Sequence, residues 1–120
     1  MLWSAQFTTE FVFPSDTPSL YVDDQRITGN KGDNITISCH HRISGGVKWC
    51  RLGSSCVTGS SGSMGGTEVT IDTSASNVST VTMSGLKTES SGWYLCVKGD
   101  LQMPVYVTVT GQSTTSKYWK

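Results

Sequence analysis

The sequence carries no excess of positive or negative charge, and this absence narrows the classes of function open to it. Lys and Arg together number 9 and Asp and Glu together number 9, so the formal net charge at pH 7 is zero. A protein that binds nucleic acid normally has a basic excess, and a protein held on an anionic membrane by charge has a basic cluster. We therefore expect no nucleic acid among its partners.

Long apolar runs and helical periodicity are also missing. No run approaches the roughly 20 residues of a membrane-spanning helix, and Met1–Ala5 is too short for a signal peptide and lacks its basic residues. We therefore expect a fragment whose natural signal and anchor lie outside it. The 13 Gly, against only 3 Pro, accompany many Val, Thr and Ser residues. Strand formers mixed with turn formers predict an all-β protein.

Catalytic motifs are absent as well. The sequence contains no nucleophile elbow, no phosphate-binding glycine loop and no HExxH motif. If the cysteines are bridged, the remaining reactive groups are serines, carboxylates and the adjacent pair His40 and His41. We expect a protein that is not an enzyme and needs no cofactor.

Short segments that alternate apolar and polar residues run through the chain from Leu20 onward. In Asn34–Cys39, the side chains of Ile35, Ile37 and Cys39 fall on one face, as in a half-buried strand. Glycine-rich turns separate such segments, and this spacing indicates a two-sheet β-sandwich. The pattern predicts strands at Leu20–Val22, Asn34–Cys39, Val47–Arg51, Cys56–Thr58, Glu68–Asp72, Ser79–Ser84, Gly92–Lys98 and Val105–Thr110.

Two stretches fit this pattern poorly. Gly59–Gly66 has almost no side chains, so we expect a flexible loop there, and the short stretch from Cys56 to Val69 argues against a full additional edge strand. Ser79 falls at an inward position of its predicted strand, where a large apolar residue would pack better. Either that strand begins later or the core thins at this point.

The cysteines define the architecture. Trp49 lies between Cys39 and Cys96, and Tyr94 lies two positions before Cys96. This order is typical of an immunoglobulin domain, in which a disulfide joins the two sheets, the Trp covers it and the Tyr hydroxyl ties a corner. The sequence therefore predicts a Cys39–Cys96 disulfide with Trp49 and Tyr94 in the core.

The pairing of the other two cysteines is predicted from strand parity. If Trp49 points inward, its neighbour Cys50 points outward and cannot share the core bridge. Cys56 lies across a short turn, so we predict a Cys50–Cys56 disulfide on that hairpin. A zinc site with His40 and His41 is the rival use of these thiols, but zinc ligands usually come in paired short spacings, so we expect no metal. Four bridged cysteines favour an oxidising, extracellular compartment.

These motifs resemble a known group of receptors. Lys48-Trp49-Cys50, followed closely by Cys56, is similar to the K-(Y/F)-W-C … C signature of the polymeric immunoglobulin receptor and of CMRF-type leukocyte receptors, and teleost members are the most similar. Ser91–Cys96 resembles their S-G-W-Y-W-C strand F, and Val81–Leu86 resembles their strand E. The resemblance spans roughly 18–110. It implies an all-β, immunoglobulin-like V-type β-sandwich with an extra disulfide on the C–C' hairpin.

The resemblance leaves three functions open. Membership of the first group implies an ectodomain of a single-pass plasma-membrane receptor, or a secreted form, that binds polymeric immunoglobulin for transport. Membership of the second implies recognition of lipids or cell-surface ligands, followed by signalling. The third alternative is a spacer domain that packs on an adjacent immunoglobulin domain and binds nothing itself.

The sequence also departs from the usual V-type pattern. Ser90 stands where such domains carry an Asp, and its usual Arg partner is missing from Gly65–Ile71, so no unpaired buried charge remains. The last strand lacks the Gly-x-Gly bulge of antibody joining segments. We therefore do not expect two copies to pair as antibody V domains do.

Three predicted loops at one end of the sandwich are candidates for ligand contact: His40–Gly46, Gly59–Gly66 and Lys98–Met103. Leu101 and Met103 suit insertion into an apolar or lipid surface, with Asp100 near a head group or a metal ion, although an ordinary hairpin tip is the alternative. Two adjacent histidines could form a pH-sensitive contact, but solvated loop histidines are the commoner case. The candidate ligand-binding residues are His40, His41, Arg42, Lys98, Asp100, Leu101 and Met103.

Strand parity also predicts an outward contact face. If Tyr94 and Cys96 point inward, Trp93, Leu95 and Val97 point outward, and Tyr106 joins them from the last strand. Such an apolar group suits contact with a ligand or a neighbouring domain. The alternative is that the loop after Cys50 covers Leu95 and Val97.

The remaining predictions concern glycosylation and domain limits. Asn34 and Asn77 begin N-x-S/T sequons, and Asn34 is the better glycan site because it alternates outward from Ile35. We expect the V-type domain to occupy 18–112, followed by a flexible tail at 113–120. The segment 1–17 is predicted as a leader, a linker or the last strand of a preceding immunoglobulin domain.

Overall fold

The computed structural model describes residues 19–42 and 45–111. The predictions for the segment 1–17 and for the tail 113–120 lie outside the described residues and remain predictions. None of the described residues belongs to a helix long and apolar enough to cross a membrane.

The described residues form two five-stranded sheets that face each other. The strands are β1 Leu20–Val22, β2 Arg26–Asn30, β3 Ile35–His41, β4 Lys48–Arg51, β5 Cys56–Val57, β6 Ser61–Met64, β7 Thr67–Asp72, β8 Val78–Ser84, β9 Gly92–Lys98 and β10 Leu101–Thr110. The first sheet has the order β1-β3-β8-β7-β6 and the second sheet has the order β2-β10-β9-β4-β5. All neighbours are antiparallel except β2 and β10, which run parallel.

The core lies between the sheets and is built from alternate residues of each strand, as a pleated strand requires. The disulfide Cys39–Cys96 joins β3 of the first sheet to β9 of the second sheet. Trp49 is fully buried and stacks on Tyr94, with ring centroids 5.4 Å apart. The sandwich, its inter-sheet disulfide and its aromatic cover therefore agree with the prediction from the sequence.

The second disulfide, Cys50–Cys56, also forms as predicted. The two residues are direct partners in the antiparallel register of β4 and β5. The bridge fastens the hairpin at the outer edge of the second sheet, where β5 has only two residues. A covalent link can hold an edge strand that is too short to hold itself by backbone hydrogen bonds.

The strand β6 corrects one prediction, because the stretch Gly59–Gly66 is not simply a flexible loop. Ser61–Met64 pairs with Thr67–Asp72 at the edge of the first sheet. Gly65 and Gly66 form the two-residue connection with φ of 57° and 87°, values that suit the tight turn of a β-hairpin. Gly62 faces Val57, whose side chain would lie 3.0 Å from a Cβ at that position. Glycine thus permits the close approach that fixes this strand.

A corner before β9 replaces an ion pair with neutral hydroxyl groups. Thr67 Oγ1 and Ser90 Oγ lie 2.6 Å apart, and both residues are buried. The Tyr94 hydroxyl donates to the Ser90 carbonyl oxygen at 2.6 Å, as the sequence predicted for this corner. Burial raises the pKa of the Tyr94 phenol, and the nearby Arg51 guanidinium partly opposes this rise.

Candidate functional site

A cavity opens at the end of the sandwich where the predicted ligand loops meet. Its volume is about 540 Å³. The start of β1, the end of β3 and the β9–β10 hairpin surround it, because Leu20 pairs with His41 and Leu101 pairs with Lys98. We call it the loop-end cavity, and it is lined by Ser19, His41, Arg42, Lys98, Gly99, Asp100 and Leu101. Five of the seven predicted ligand residues thus come together.

The β9–β10 hairpin forms one wall of the loop-end cavity. β10 begins at Leu101, so the predicted loop Lys98–Met103 is in fact a two-residue turn, Gly99-Asp100, between paired strands. Gly99 has a φ of 60°, which glycine adopts without strain. Lys98 Nζ donates to the Gly46 carbonyl oxygen at 3.1 Å, which links the hairpin to the segment before β4. The hairpin is therefore a supported structure that holds Asp100 and Leu101 at its tip.

His41 lies in the floor of the loop-end cavity and not in a loop. β3 extends through His41, and the residue is 4% exposed. Its Nε2 lies 2.9 Å from Ser79 Oγ, so the buried serine on β8 has a buried polar partner. This pair explains why Ser79 can occupy an inward position, and it corrects the prediction of a loop beginning at His40.

His40 points to a different surface from His41, as neighbouring residues of a strand do. Its ring stacks on Tyr21 with centroids 4.5 Å apart, and its Nε2 lies 2.8 Å from Asp23 Oδ1. His40 does not line the loop-end cavity, so the two histidines do not form one joint contact. In the described part of the chain, no group of three His, Cys, Asp or Glu side chains is placed to hold a metal ion.

Met103 does not join Leu101 as a second exposed apolar residue. Its side chain is partly buried against the core, and Gln25 Nε2 lies 3.5 Å from its Sδ. The reason is that β10 already includes Met103, so this side chain continues the inward series of Val105 and Val107. Leu101, at the hairpin tip, is 42% exposed and is the apolar residue that the loop end presents to solvent.

The predicted outward face on the second sheet is partly covered. Trp93 is 42% exposed and meets Tyr106 edge to face, with centroids 5.0 Å apart. Leu95 is half-buried and Val97 is buried, so Val97 does not belong to this face. Trp93 pairs with Tyr106 near the start of β9, whereas the loop end follows the last residue of β9. The exposed pair of aromatic rings therefore lies at some distance from the loop-end cavity.

Both predicted glycan sites are exposed asparagines. Asn34 lies just before β3, and its Oδ1 accepts a hydrogen bond from the Gly85 amide at 3.3 Å. Asn77 lies just before β8, and the hydroxyl of its sequon belongs to Ser79, which is fully buried. Glycosylation at either site remains a prediction.

Besides β6, sequence reasoning missed a second strand, β2, that supports this architecture. β2 lies beside β10, with Arg26 opposite Tyr106. Its sequence, RITGN, alternates exposed and half-buried residues and carries one apolar side chain, so it gives little signal of a strand. The signal that could have found it is the β-branched pair Ile27-Thr28 in the segment between β1 and β3.

The comparisons with solved structures place this geometry among immunoglobulin domains. The ectodomain of the teleost fish polymeric immunoglobulin receptor is 30% identical, with a TM-score of 0.67 over 80% of this chain and 50% of that chain. This chain thus spans half of that ectodomain. The first immunoglobulin domain of the mouse polymeric immunoglobulin receptor is 19% identical, with a TM-score of 0.65 over 82% of this chain and 100% of that chain.

A third solved structure confirms the fold alone. An immunoglobulin-like domain from human cDNA is 18% identical, with a TM-score of 0.64 over 92% of this chain and 94% of that chain. Neither a protein-family model nor a curated protein sequence matches the chain. The similarity therefore rests on the fold, and on the sequence identity to the fish receptor.

Proposed function

From the premise that this chain is an immunoglobulin-like V-type domain resembling those of the polymeric immunoglobulin receptor, we propose that it is a ligand-binding ectodomain module of such a receptor. In this proposal it binds polymeric immunoglobulin through the loop-end cavity. The observation that carries the proposal is the gathering of Arg42, Lys98, Asp100 and Leu101 around one opening, in a domain 30% identical to the fish receptor.

The chemistry of the loop-end cavity suits a protein surface as ligand. Arg42 and Lys98 provide cationic donors, Asp100 provides an acceptor, and Leu101 provides an exposed apolar anchor. Protein interfaces characteristically combine a few apolar or Arg anchors with a polar rim. Immunoglobulin-like domains are binding modules. Contact with a ligand is therefore the function that this site supports.

The compartment follows from the same features. Two disulfides require an oxidising environment for their formation, and the similar structures are receptor domains. These features fit an extracellular or secreted domain. Attachment to the plasma membrane through a single-pass segment, and contact with an adjacent immunoglobulin domain, are parts of the proposal.

The test is a binding measurement with the full chain, refolded with both disulfides and immobilised. Polymeric immunoglobulin from a teleost serum is the probe, and monomeric immunoglobulin from the same serum is the control. We expect saturable binding that is selective for the polymer and is weakened about tenfold or more by Arg42→Ala or Leu101→Ser. Trp93→Ser is the matched control, since Trp93 has the same 42% exposure as Leu101 but lies elsewhere. Equal binding of monomer and polymer, or no binding, contradicts the proposal.

A second candidate function is recognition of a lipid surface, and the exposure of Leu101 favours it. An apolar side chain at a hairpin tip, with Arg42 and Lys98 lining the same cavity, suits shallow insertion among anionic head groups. Vesicles of phosphatidylcholine with phosphatidylserine should then bind the chain, and Leu101→Asp should abolish the binding. A chain that binds neither vesicles nor polymeric immunoglobulin would be a spacer domain.

A further inference from the structure

The two sheets of the sandwich carry opposite charges. The strands of the second sheet contain four charged residues, and all of them are cationic: Arg26, Lys48, Arg51 and Lys98. The strands of the first sheet contain no Lys or Arg, and their acidic residues are Glu68 and Asp72. Of the four cations, Arg51 lies over the Tyr94 ring and Lys98 lines the loop-end cavity, so the exposed strand charges are Arg26 and Lys48 on the second sheet and Glu68 and Asp72 on the first. We call the outer side of the second sheet, which carries Arg26 and Lys48, the cationic face.

Aromatic side chains lie on the cationic face. Arg26 on β2 pairs with Tyr106 on β10, which pairs with Trp93 on β9. The Leu52 amide donates to the Trp93 carbonyl oxygen at 3.0 Å, which adds Leu52 at the far end. We call Arg26, Tyr106, Trp93 and Leu52 the aromatic row. It crosses the second sheet over roughly 14 Å, since neighbouring strands lie nearly 5 Å apart.

The aromatic row is exposed and ordered by its own contacts. Leu52 is 57% exposed and Trp93 is 42% exposed. The Arg26 guanidinium lies 6.0 Å from the centre of the Tyr106 ring, within the range of a cation–π contact. Trp, Tyr and Arg are the residue types that most often dominate the binding energy of protein interfaces. The aromatic row thus has the composition of an interface centre, with its rings already held in place.

We propose that the aromatic row is a docking surface, distinct from the loop-end cavity, for a partner protein whose surface presents carboxylates beside aromatic or aliphatic side chains. Arg26 and the exposed Lys48 would pair with the carboxylates, and the apolar groups would cover Trp93 and Leu52. The charge of this face selects such a partner, because the five strands that form it contain no carboxylate of their own.

A second copy of this chain is a poor occupant for the same surface. Two aromatic rows facing each other would bring together two sets of strands that contain no carboxylate, so Arg26 and Lys48 would find no opposite charge there. An aromatic row against the first sheet of another copy would find carboxylates but little apolar surface. In the described residues, the exposed large hydrophobic side chains are Leu52, Trp93 and Leu101, and none of them lies on the first sheet.

The test selects binding peptides with the full, disulfide-intact chain. Random dodecapeptides displayed on phage are the probe, and they are panned on the wild type. We expect the enriched peptides to be acidic and to contain Phe, Trp or Leu. Trp93→Ser and Arg26→Glu should each weaken the binding of synthetic copies about tenfold, and higher salt should weaken it further. Leu101→Ser is the matched control and should leave the binding unchanged.

Four results would overturn the proposal. They are enrichment of neutral or basic peptides, no enrichment, equal loss of binding with Leu101→Ser, and retention of binding by Arg26→Glu. If the chain instead associates with itself or binds phosphatidylserine vesicles, and Trp93→Ser abolishes that binding, the proposed partner protein is wrong and the aromatic row has a different occupant. Because Arg26 is exposed, its variant tests the surface even if Trp93→Ser disturbs folding. Loss of immunoglobulin binding at the loop end would leave these outcomes unaffected.

Discussion

The hydroxyl groups of Ser90 and Thr67 lie 2.6 Å apart in a buried position where V-type domains usually carry an Asp and an Arg. A buried ion pair must overcome the desolvation of both charges, whereas two hydroxyl groups satisfy each other at a much lower cost. The Tyr94 hydroxyl also donates to the Ser90 carbonyl oxygen, so two hydrogen bonds hold this corner. Each of these two departures from the common pattern therefore depends on the other, because each hydroxyl group is the buried partner of the other.

Restoring one half of the ion pair should destabilise the domain. In Ser90→Asp, a carboxylate would face the Thr67 hydroxyl without a cation, and we expect the free energy of unfolding to fall by about 3 kcal/mol. Urea denaturation followed by tryptophan fluorescence measures the change. The double variant Ser90→Asp with Thr67→Arg should recover part of the loss. An unchanged midpoint in the single variant would mean that water reaches this corner.

Tyr94 should make the stability of the domain depend on alkaline pH. Burial raises its pKa in the folded state, so the unfolded state loses this proton first. The stabilisation is present below the ordinary phenol pKa of about 10 and is lost as the pH rises through the folded pKa. We expect Tyr94→Phe to lose about 1 kcal/mol at neutral pH with its hydrogen bond to Ser90.

The pH dependence separates that phenol from the other titrating groups. Urea midpoints measured from neutral pH upward should fall more steeply for the wild type than for Tyr94→Phe. Tyr106→Phe is the control, since its ring lies on the outer face of the second sheet. Parallel curves for the wild type and Tyr94→Phe would show that other groups carry the alkaline loss.

Among the structural elements, the β4–β5 hairpin depends on its own disulfide while the sandwich depends on the other. Cys50–Cys56 closes a sequence separation of 6 residues, whereas Cys39–Cys96 closes one of 57. Replacing Cys50 and Cys56 together with Ala should cost about 2 kcal/mol of unfolding free energy in the chain-entropy account, and replacing the other pair should cost about 4 kcal/mol. Chemical denaturation of the two double variants, each with the other bridge intact, measures both losses. Equal losses would contradict this division.

Elements with strong alternation could be predicted from the sequence, and elements held by tertiary contacts could not. The burial of β3 and β8 alternates at every residue, so their apolar pattern alone locates them. β6, with the sequence SGSM, has almost no strand propensity. It forms because a tight glycine turn returns it to β7 and because Gly62 fits against Val57. Prediction from a sequence pattern depends on large apolar side chains, and β6 has few of them.

The candidate site shows the same division between what composition reveals and what packing decides. The hairpin residues Lys98, Asp100 and Leu101 were predicted because loops at this end are exposed in any such sandwich. His41 and Met103 were assigned to loops because strand ends are the least certain part of a prediction. β3 and β10 each extend beyond the segment that the apolar pattern indicates, and His41 and Met103 are the added residues whose side chains turn toward the interior.

At the scale of the whole molecule, the described residues share one continuous core. The core cluster extends from Leu20 to Val109 and contains the Cys39–Cys96 disulfide, and the Cys50–Cys56 disulfide lies within the same range of the chain. We therefore expect a chain trimmed to 18–112 to unfold in one cooperative transition with the same urea midpoint as the full chain. Thermal and urea unfolding of both chains measures this. A clearly lower midpoint for the trimmed chain would assign the terminal segments to the domain.

The outward strand charges, Arg26 and Lys48 on one sheet and Glu68 and Asp72 on the other, contribute an electric dipole directed across the thickness of the sandwich. Net charge governs whether a protein is drawn toward a charged surface, but a dipole governs which side arrives first. Near the acidic partner proposed above, the torque on this contribution would turn the second sheet toward the approaching surface before contact is made. The molecule would thus reach its partner already oriented, and the search over wrong orientations that normally slows association would be shortened.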